Sequence, residues 1–162
     1  GFEEPSEIQK KSIPIFSLGK DMIAQAQSGS GKTGAFTIGA LNRISEEDKE
    51  TQCIIVSPTR ELAEQTFLFM QEISKYTGIT SEKVVGGTNV KDCQQSLEKG
   101  PHVVVGTPGR IIDMIRRRSL FTDKVHTFVV DEADEMLSQG FIDSIKDMFG
   151  FLTKETLIYL FR

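Results

Sequence analysis

Ala26-Gln27-Ser28-Gly29-Ser30-Gly31-Lys32-Thr33 lies between an apolar triplet, Met22-Ile23-Ala24, and a stretch of helical period from Lys32 to about Ile44. A glycine-rich turn that leaves a strand and opens a helix is the setting in which backbone N–H groups converge on phosphate oxygens. Gly29 and Gly31 permit the backbone angles that aim successive N–H groups inward, and Ser28 and Ser30 complete the cradle. The first turn of the helix adds a partial positive charge at the same place. Lys32 then reaches the β and γ phosphates of a bound ATP, and the Thr33 hydroxyl suits Mg2+. The usual pattern opens on glycine; Ala26 stands there, a small residue that fits if its φ is negative. A glycine-rich turn beside a surface lysine is the plainer alternative, and it leaves the coincidence of glycines, lysine, hydroxyl and flanking elements unexplained.

Outward from this loop, short apolar runs alternate with longer helical ones. Met22-Ile23-Ala24, Cys53-Ile54-Ile55-Val56, Val84-Val85, Val103-Val104-Val105, Phe128-Val129-Val130 and Leu157-Ile158-Tyr159-Leu160-Phe161 read as strands. Their nearly unbroken apolarity is what a parallel sheet covered on both faces requires. Leu62, Thr66, Phe67, Met70 and Ile73 fall on one side of a helix, as do Ile142, Ile145, Phe149 and Leu152. A further helix is expected from about Arg110 to Arg117. The predicted fold is α/β, with a mostly parallel central sheet flanked by helices and right-handed crossovers. The last apolar run has no helix after it, which reads as truncation near the C-terminal end.

Composition bounds the rest. The 162 residues suffice for one well-cored domain, and 38% apolar with 26% charged residues is the range of a globular chain. No run approaches the ~18 apolar residues of a membrane span, so no membrane partner is expected. The start at Gly1 suggests a fragment whose targeting information could lie upstream. Cys53 and Cys93 are too few for a disulfide scaffold, and His102 and His126 do not complete a zinc set. Cys53 reads as a buried small hydrophobe. A reducing compartment follows, cytoplasmic with nuclear as the alternative. The net charge of -4 argues against nucleic-acid binding by bulk electrostatics. Any such binding must use a local patch.

Phe128-Val129-Val130 runs directly into Asp131-Glu132-Ala133-Asp134. Ligands of open parallel sheets collect beyond the carboxyl ends of the strands. Asp131 is placed to hold Mg2+ through its water shell, and Glu132 to orient an attacking water and take its proton. Asp134 is the poorer candidate for either task and the better one for bonding a neighbouring loop and reporting nucleotide state. Ordinary capping of a helix start is the alternative for all three carboxylates.

The tetrad reads D-E-A-D, and the chain resembles the first RecA-like domain of the DEAD-box RNA helicases. The resemblance is carried by Pro5-Ser6-Glu7-Ile8-Gln9, by Ala26 to Thr33 and by Pro58-Thr59-Arg60-Glu61-Leu62-Ala63. Gly86-Gly87, Thr107-Pro108-Gly109-Arg110 and Asp131 to Asp134 carry it further, all in family order. Longer strings narrow it. Gly86-Gly87-Thr88-Asn89-Val90 and Asp131-Glu132-Ala133-Asp134-Glu135-Met136-Leu137 resemble the translation-initiation branch and its exon-junction relative. Asp113 to Leu120 leans to the latter, Gly1 to Ser6 and Ala24 to Ser28 to the former, which is preferred.

The resemblance implies an RNA-stimulated ATPase using ATP and Mg2+, with residues 1–162 as its first domain and a second RecA-like domain lying outside this chain. It implies that Gln9 reads the adenine edge, for which a carboxamide has both donor and acceptor; Phe2 either packs near the base or, equally, serves as a core or edge anchor. A polar residue on a short helix ending near Pro14 is the other reading of Gln9. Thr59, Arg60, Gly87, Thr107, Gly109 and Arg110 are implied contacts of single-stranded RNA, without base specificity. Pro-Thr-Arg and Thr-Pro-Gly-Arg each start a helix on the same sheet edge, and each adds a hydroxyl and a guanidinium to free N–H groups, a suitable phosphate clamp. A salt bridge is the alternative for Arg60.

Arg116-Arg117-Arg118 closes a helix; a solvated cationic end is the preferred reading, RNA or a protein partner the other. Protein partners implied are an initiation-complex scaffold or exon-junction proteins, with the fragment itself monomeric. The family continues past Phe161 with Ser-Ala-Thr where this chain has Arg162. A different P-loop ATPase and a protein-interaction platform are the rival functions.

Overall fold

Cys53–Val56, Val103–Gly106 and Thr127–Val130 are buried at every residue, as strands covered on both faces must be. They are β2, β4 and β5 of a six-stranded sheet in a computed structural model that describes residues 3–27 and 29–162. Met22–Ala24 (β1), Ser81–Val84 (β3) and Leu157–Phe161 (β6) complete it, in the order β1-β6-β5-β2-β4-β3, and every pairing is parallel. Parallel pairing forces each connection to cross the sheet. Helix Glu7–Leu18 (α1) precedes β1, and the crossings are made by Lys32–Leu41 (α2), Arg60–Ser74 (α3), Val90–Glu98 (α4), Pro108–Arg116 (α5), Ala133–Met136 (α6) and Ile142–Phe151 (α7). No helix among the described residues is long and apolar enough to cross a membrane.

Side chains alternate between the two faces, so each central strand feeds two cores. Ile54, Val56, Val104, Phe128 and Val130 pack with Ile111, Met114, Ile145 and Met148 of α5 and α7. Cys53, Ile55, Val103, Val105 and Val129 pack with Phe16, Phe36, Ala63 and Met70 of α1, α2 and α3. The centre of the second core is Phe16, fully buried and stacked on Tyr159 with ring centroids 3.8 Å apart and planes 7° apart. Gly39 lets α2 approach that ring, since a Cβ there would lie 2.4 Å from it. Burial of a side chain such as Phe16 stabilises by roughly 1.5–3 kcal/mol.

The structure corrects four boundaries. The first helix does not end near Pro14 but continues to Leu18, with Pro14 inside it. Pro14 removes one helix hydrogen bond, while Phe16 beyond it is fully buried and holds the last turn on the core. The helix that opens at Lys32 stops at Leu41, short of Ile44, and the helix expected from Arg110 begins at Pro108. β3 covers Ser81–Val84 rather than Val84-Val85. It is an edge strand, half-buried and polar, where apolarity is not required.

Candidate active site

β1 delivers the chain to the glycine-rich loop, and the Ala26 N–H is fixed there by the Arg162 carbonyl at 3.1 Å. Gly29 and Gly31 adopt φ of +77° and +88°, the region that favours glycine, so the sequence reading of this turn holds in its backbone. At Gly31 a Cβ would also lie 2.7 Å from both Gln9 Nε2 and Ser6 Oγ. α2 begins at Lys32, directing its first N–H groups at the loop. Ser30 Oγ is buried without a hydrogen-bond partner among the described residues, a hydroxyl available to a polar ligand. Ser28 and Phe2 lie outside the described residues.

Gln9 is 3% exposed and braces this loop. Its Nε2 donates to the Gly31 carbonyl at 3.2 Å, while its Oε1 accepts from the Ser6 N–H at 2.9 Å in a capping box that starts α1. One amide proton and one lone pair remain for a base. Beside it, between α1 and the loop, a cavity of ≈ 310 Å³ is lined by Ile8, Lys11, Gln25, Gln27 and Ser30 among others.

On the other side of the loop a cavity of ≈ 460 Å³ brings Gly29, Gly31, Lys32 and Thr33 together with Asp131 and Glu132. β5 sets the acidic pair: the Asp131 N–H extends the ladder to the Val56 carbonyl at 2.9 Å, and Asp131 is 4% exposed. Glu132 then takes φ 50°, ψ 54°, a left-handed turn held by its own N–H donating to Asp131 Oδ1 at 2.9 Å. That turn brings the second carboxylate beside the first. Lys32 Nζ lies 3.1 Å from Asp131 Oδ1 and 2.7 Å from Glu132 Oε1. Burial raises the Asp131 pKa, and the Lys32 charge only partly opposes it. Burial pulls Lys32 down, but its hydrogen bond to Glu132 and the field of Asp131 outweigh that, leaving it above the ordinary lysine value.

The donor set fits magnesium better than any softer ion. Thr33 and Asp131 offer hard oxygens, and among the described residues no group of three or more His, Cys, Asp or Glu could hold a metal alone. An ion here would need further ligands beyond these side chains, which suits magnesium's habit of keeping waters.

Asp134 is exposed and ion-paired to Arg162, whose Nε donates to Asp134 Oδ1 at 2.8 Å. Sequence reasoning missed this partner, and also the wall that Leu62, Gln65, Thr66 and Phe69 of α3 give the larger cavity. The period of α3 marks an inward face, but nothing in it says that the first three turns line this cavity.

A second constellation occupies the carboxyl ends of β2, β3 and β4. Thr59 caps α3, its hydroxyl accepting from Leu62 N–H at 3.2 Å, and Thr107 takes the equivalent place before α5 without such a bond. Arg60 Nη1 donates to the Gly86 carbonyl at 3.3 Å and forms no ion pair among the described residues, which removes the salt-bridge alternative. Gly87, at φ +80°, would drive a Cβ to 2.1 Å from that guanidinium. Arg110 donates to the Thr88 hydroxyl and carbonyl, both at 3.0 Å, with Gly109 exposed beside it. The structure thus gathers all six residues on one sheet edge. The arginine triplet divides: Arg116 pairs with Asp147 at 3.1 Å and Arg117 with Asp113 at 2.9 Å, while Arg118 has no ion pair among the described residues.

A profile of the family described as DEAD/DEAH box helicase matches residues 6–161. The chain is 49% identical over 160 residues to eukaryotic initiation factor 4A of Caenorhabditis elegans and 51% identical over 160 residues to the ATP-dependent RNA helicase eIF4A of Aspergillus niger. Each match covers 99% of this chain, which spans 40% of the length of these relatives. Among solved structures it is similar to S. cerevisiae Dbp5 bound to RNA and ADP BeF3, with TM-score 0.92 at 41% identity over 99% of this chain and 41% of that one. A DEAD box protein from the hyperthermophile Methanococcus jannaschii gives TM-score 0.93 at 38% identity over 99% of this chain and 44% of that one. The RecA-like fold expected from the sequence is the fold observed.

Proposed function

The chain belongs to the DEAD/DEAH box helicase family, and on that premise we propose that it forms the ATP-binding half of an ATP-dependent RNA helicase of the initiation factor 4A kind. The observation that carries this reading is the contact of Lys32 with both Asp131 and Glu132 across one cavity that also holds the Gly29–Thr33 loop. A triphosphate seated on the loop N–H groups competes with the two carboxylates for the Lys32 ammonium. Thr33 and Asp131 would hold magnesium, which would supply charge neutralisation to the phosphates. Glu132, freed from Lys32, orients water and accepts its proton. Gln9 sets the loop and offers its remaining donor and acceptor to adenine.

The edge made by Thr59, Arg60, Gly87, Thr107, Gly109 and Arg110 holds single-stranded RNA by phosphate and sugar, without reading bases. Asp134 and Arg162 link the acidic turn to the end of β6, which suits a role in sensing nucleotide. An initiation-complex scaffold is the proposed protein partner. Among the described residues Lys32 is the one cation on the acidic pair, and a dissociating γ-phosphoryl group needs more. The 162-residue chain alone is therefore expected to bind nucleotide weakly and turn it over slowly.

Titration with a fluorescent ATP analogue in magnesium tests the assignment. K32A should abolish binding, whereas E132Q should keep binding and lose turnover. Equal affinity of K32A and the wild-type chain would refute the reading.

A further inference from the structure

The turn after α5 contains a residue that backbone energetics disfavours. α1 and α4 both close on a left-handed glycine, Gly19 at φ +67° and Gly100 at φ +68°. α5 closes the same way, with the Arg118 N–H donating to Ile115 and the Ser119 N–H to Met114, but the left-handed residue is Arg118 at φ 60°. Glycine would take that angle without strain. Strain of this kind persists only where the surrounding structure fixes it, and it is concentrated at functional sites.

Arg118 lines a cleft of ≈ 390 Å³ at the amino ends of β2, β4 and β5, the end of the sheet opposite the candidate active site. Lys49 and Lys124 supply two more cations and Glu50, Glu98 and Asp123 three anions. Among the described residues none of these six forms an ion pair, although each is exposed. Leu97 and Leu120, buried in the core, form only the floor, and the exposed apolar side chain is Phe121, at 62%. The walls are fixed. Gln94 Nε2 donates to Ser119 Oγ at 2.9 Å, and a Cβ at Gly100 would lie 2.2 Å from the Lys49 carbonyl.

Unpaired charges of both signs around an exposed apolar side chain complement one kind of occupant. We propose that this cleft docks a short amphipathic segment of a partner protein, with an apolar anchor on Phe121 and flanking side chains of both signs. RNA gains no net attraction here, because the three carboxylates offset the three cations. A protein held here leaves the nucleotide cavity and the Arg60–Arg110 edge free, so it tethers the domain without competing at either.

The test is a titration of the isotope-labelled chain followed through its amide resonances. The probe is a helical peptide with Leu and Phe on one face and Glu and Lys on the flanks. All-Glu and all-Lys versions and an oligouridine serve as comparisons. The mixed peptide should move Glu98, Gly100, Ser119 and Phe121 and bind most tightly. R118G and F121A should each weaken it by about tenfold. R118G should melt at or above the wild type, because glycine relieves the turn, so lost binding cannot be lost folding. Unchanged affinity of R118G, a lower melting temperature, tighter binding of a single-sign peptide, or oligouridine shifts at these same amides would each overturn the proposal.

Discussion

Lys32→Met isolates the electrostatics on which the candidate site is built. Lys32 and Asp131 are both largely buried, with side-chain exposures of 13% and 5% and a separation of 3.1 Å. Removing one partner of a buried pair commonly costs about 3–5 kcal/mol, because a charge is left without compensation. Asp131 has an escape, since it can take up a proton. Starting from its ordinary pKa of 3.8, protonation at pH 7 costs about 4 kcal/mol, and at pH 5 under about 2 kcal/mol. That escape caps the penalty. Glu132 also loses its contact, but its side chain is 42% exposed and water replaces the lysine. The expected loss is about 2–4 kcal/mol at pH 7, falling below about 2 at pH 5. The sign follows from burial. Asp131 binds its proton more readily folded than unfolded, so the variant gains stability as pH falls toward 4. Urea denaturation at the two pH values measures this, and K32M/D131N should recover most of the loss at pH 7. A deficit that does not change with pH, or no deficit, would show that the buried carboxylate does not carry the cost.

Three further outcomes follow from single contacts. G39A places a methyl 2.4 Å from the Phe16 ring, and despite better helix propensity it should destabilise by about 1–3 kcal/mol in thermal unfolding; an equal or higher melting temperature would contradict the packing described. The Cys53 thiol, pushed up to about 12 by burial, should react with iodoacetamide at pH 8 no faster than the chain unfolds, as mass spectrometry would record; free-thiol rates would contradict it. The His126 pKa is lowered by burial and then by Arg43, so its stabilising effect is present above about pH 6.5 and is lost as pH falls through the lowered folded value. H126N should flatten that acid decline in a melting-temperature profile; an unchanged slope would assign the decline to other groups.

Much of this was legible because the requirements are local. The Gly29–Thr33 turn needs glycine at fixed offsets from a strand and a helix, and central strands buried on both faces need unbroken apolar runs. The acidic pair could be found because it directly follows such a run. What escaped depends on contacts far apart in the chain. β3 is polar because its outer edge has no neighbour, and α4 buries only Cys93 and Leu97, too few to mark a helical period. Pro14 signals a helix end unless one knows that Phe16, two residues on, stacks on Tyr159. The brace from Gln9 to Gly31 spans 22 positions and the Arg162–Asp134 bond 28, and neither has a local signature. The divided roles of Arg116, Arg117 and Arg118 were hidden for the same reason.

The backbone itself separates scaffold from function. Among the described residues two that are not glycine have positive φ, Glu132 and Arg118. Each costs on the order of 1 kcal/mol, and each sits where a buried strand or a packed helix fixes the chain on one side. For Glu132 the fixing is specific: Asp131 is tied to β2 by its N–H and receives the Glu132 N–H on its own carboxylate. The left-handed step that follows lets two adjacent residues present their carboxylates to one ammonium, which successive residues of an extended strand, pointing to opposite faces, cannot do. A glycine at 132 would relax the turn and remove the carboxylate the turn presents. The strain at this end of β5 is therefore the geometric condition for Lys32 to meet both acids.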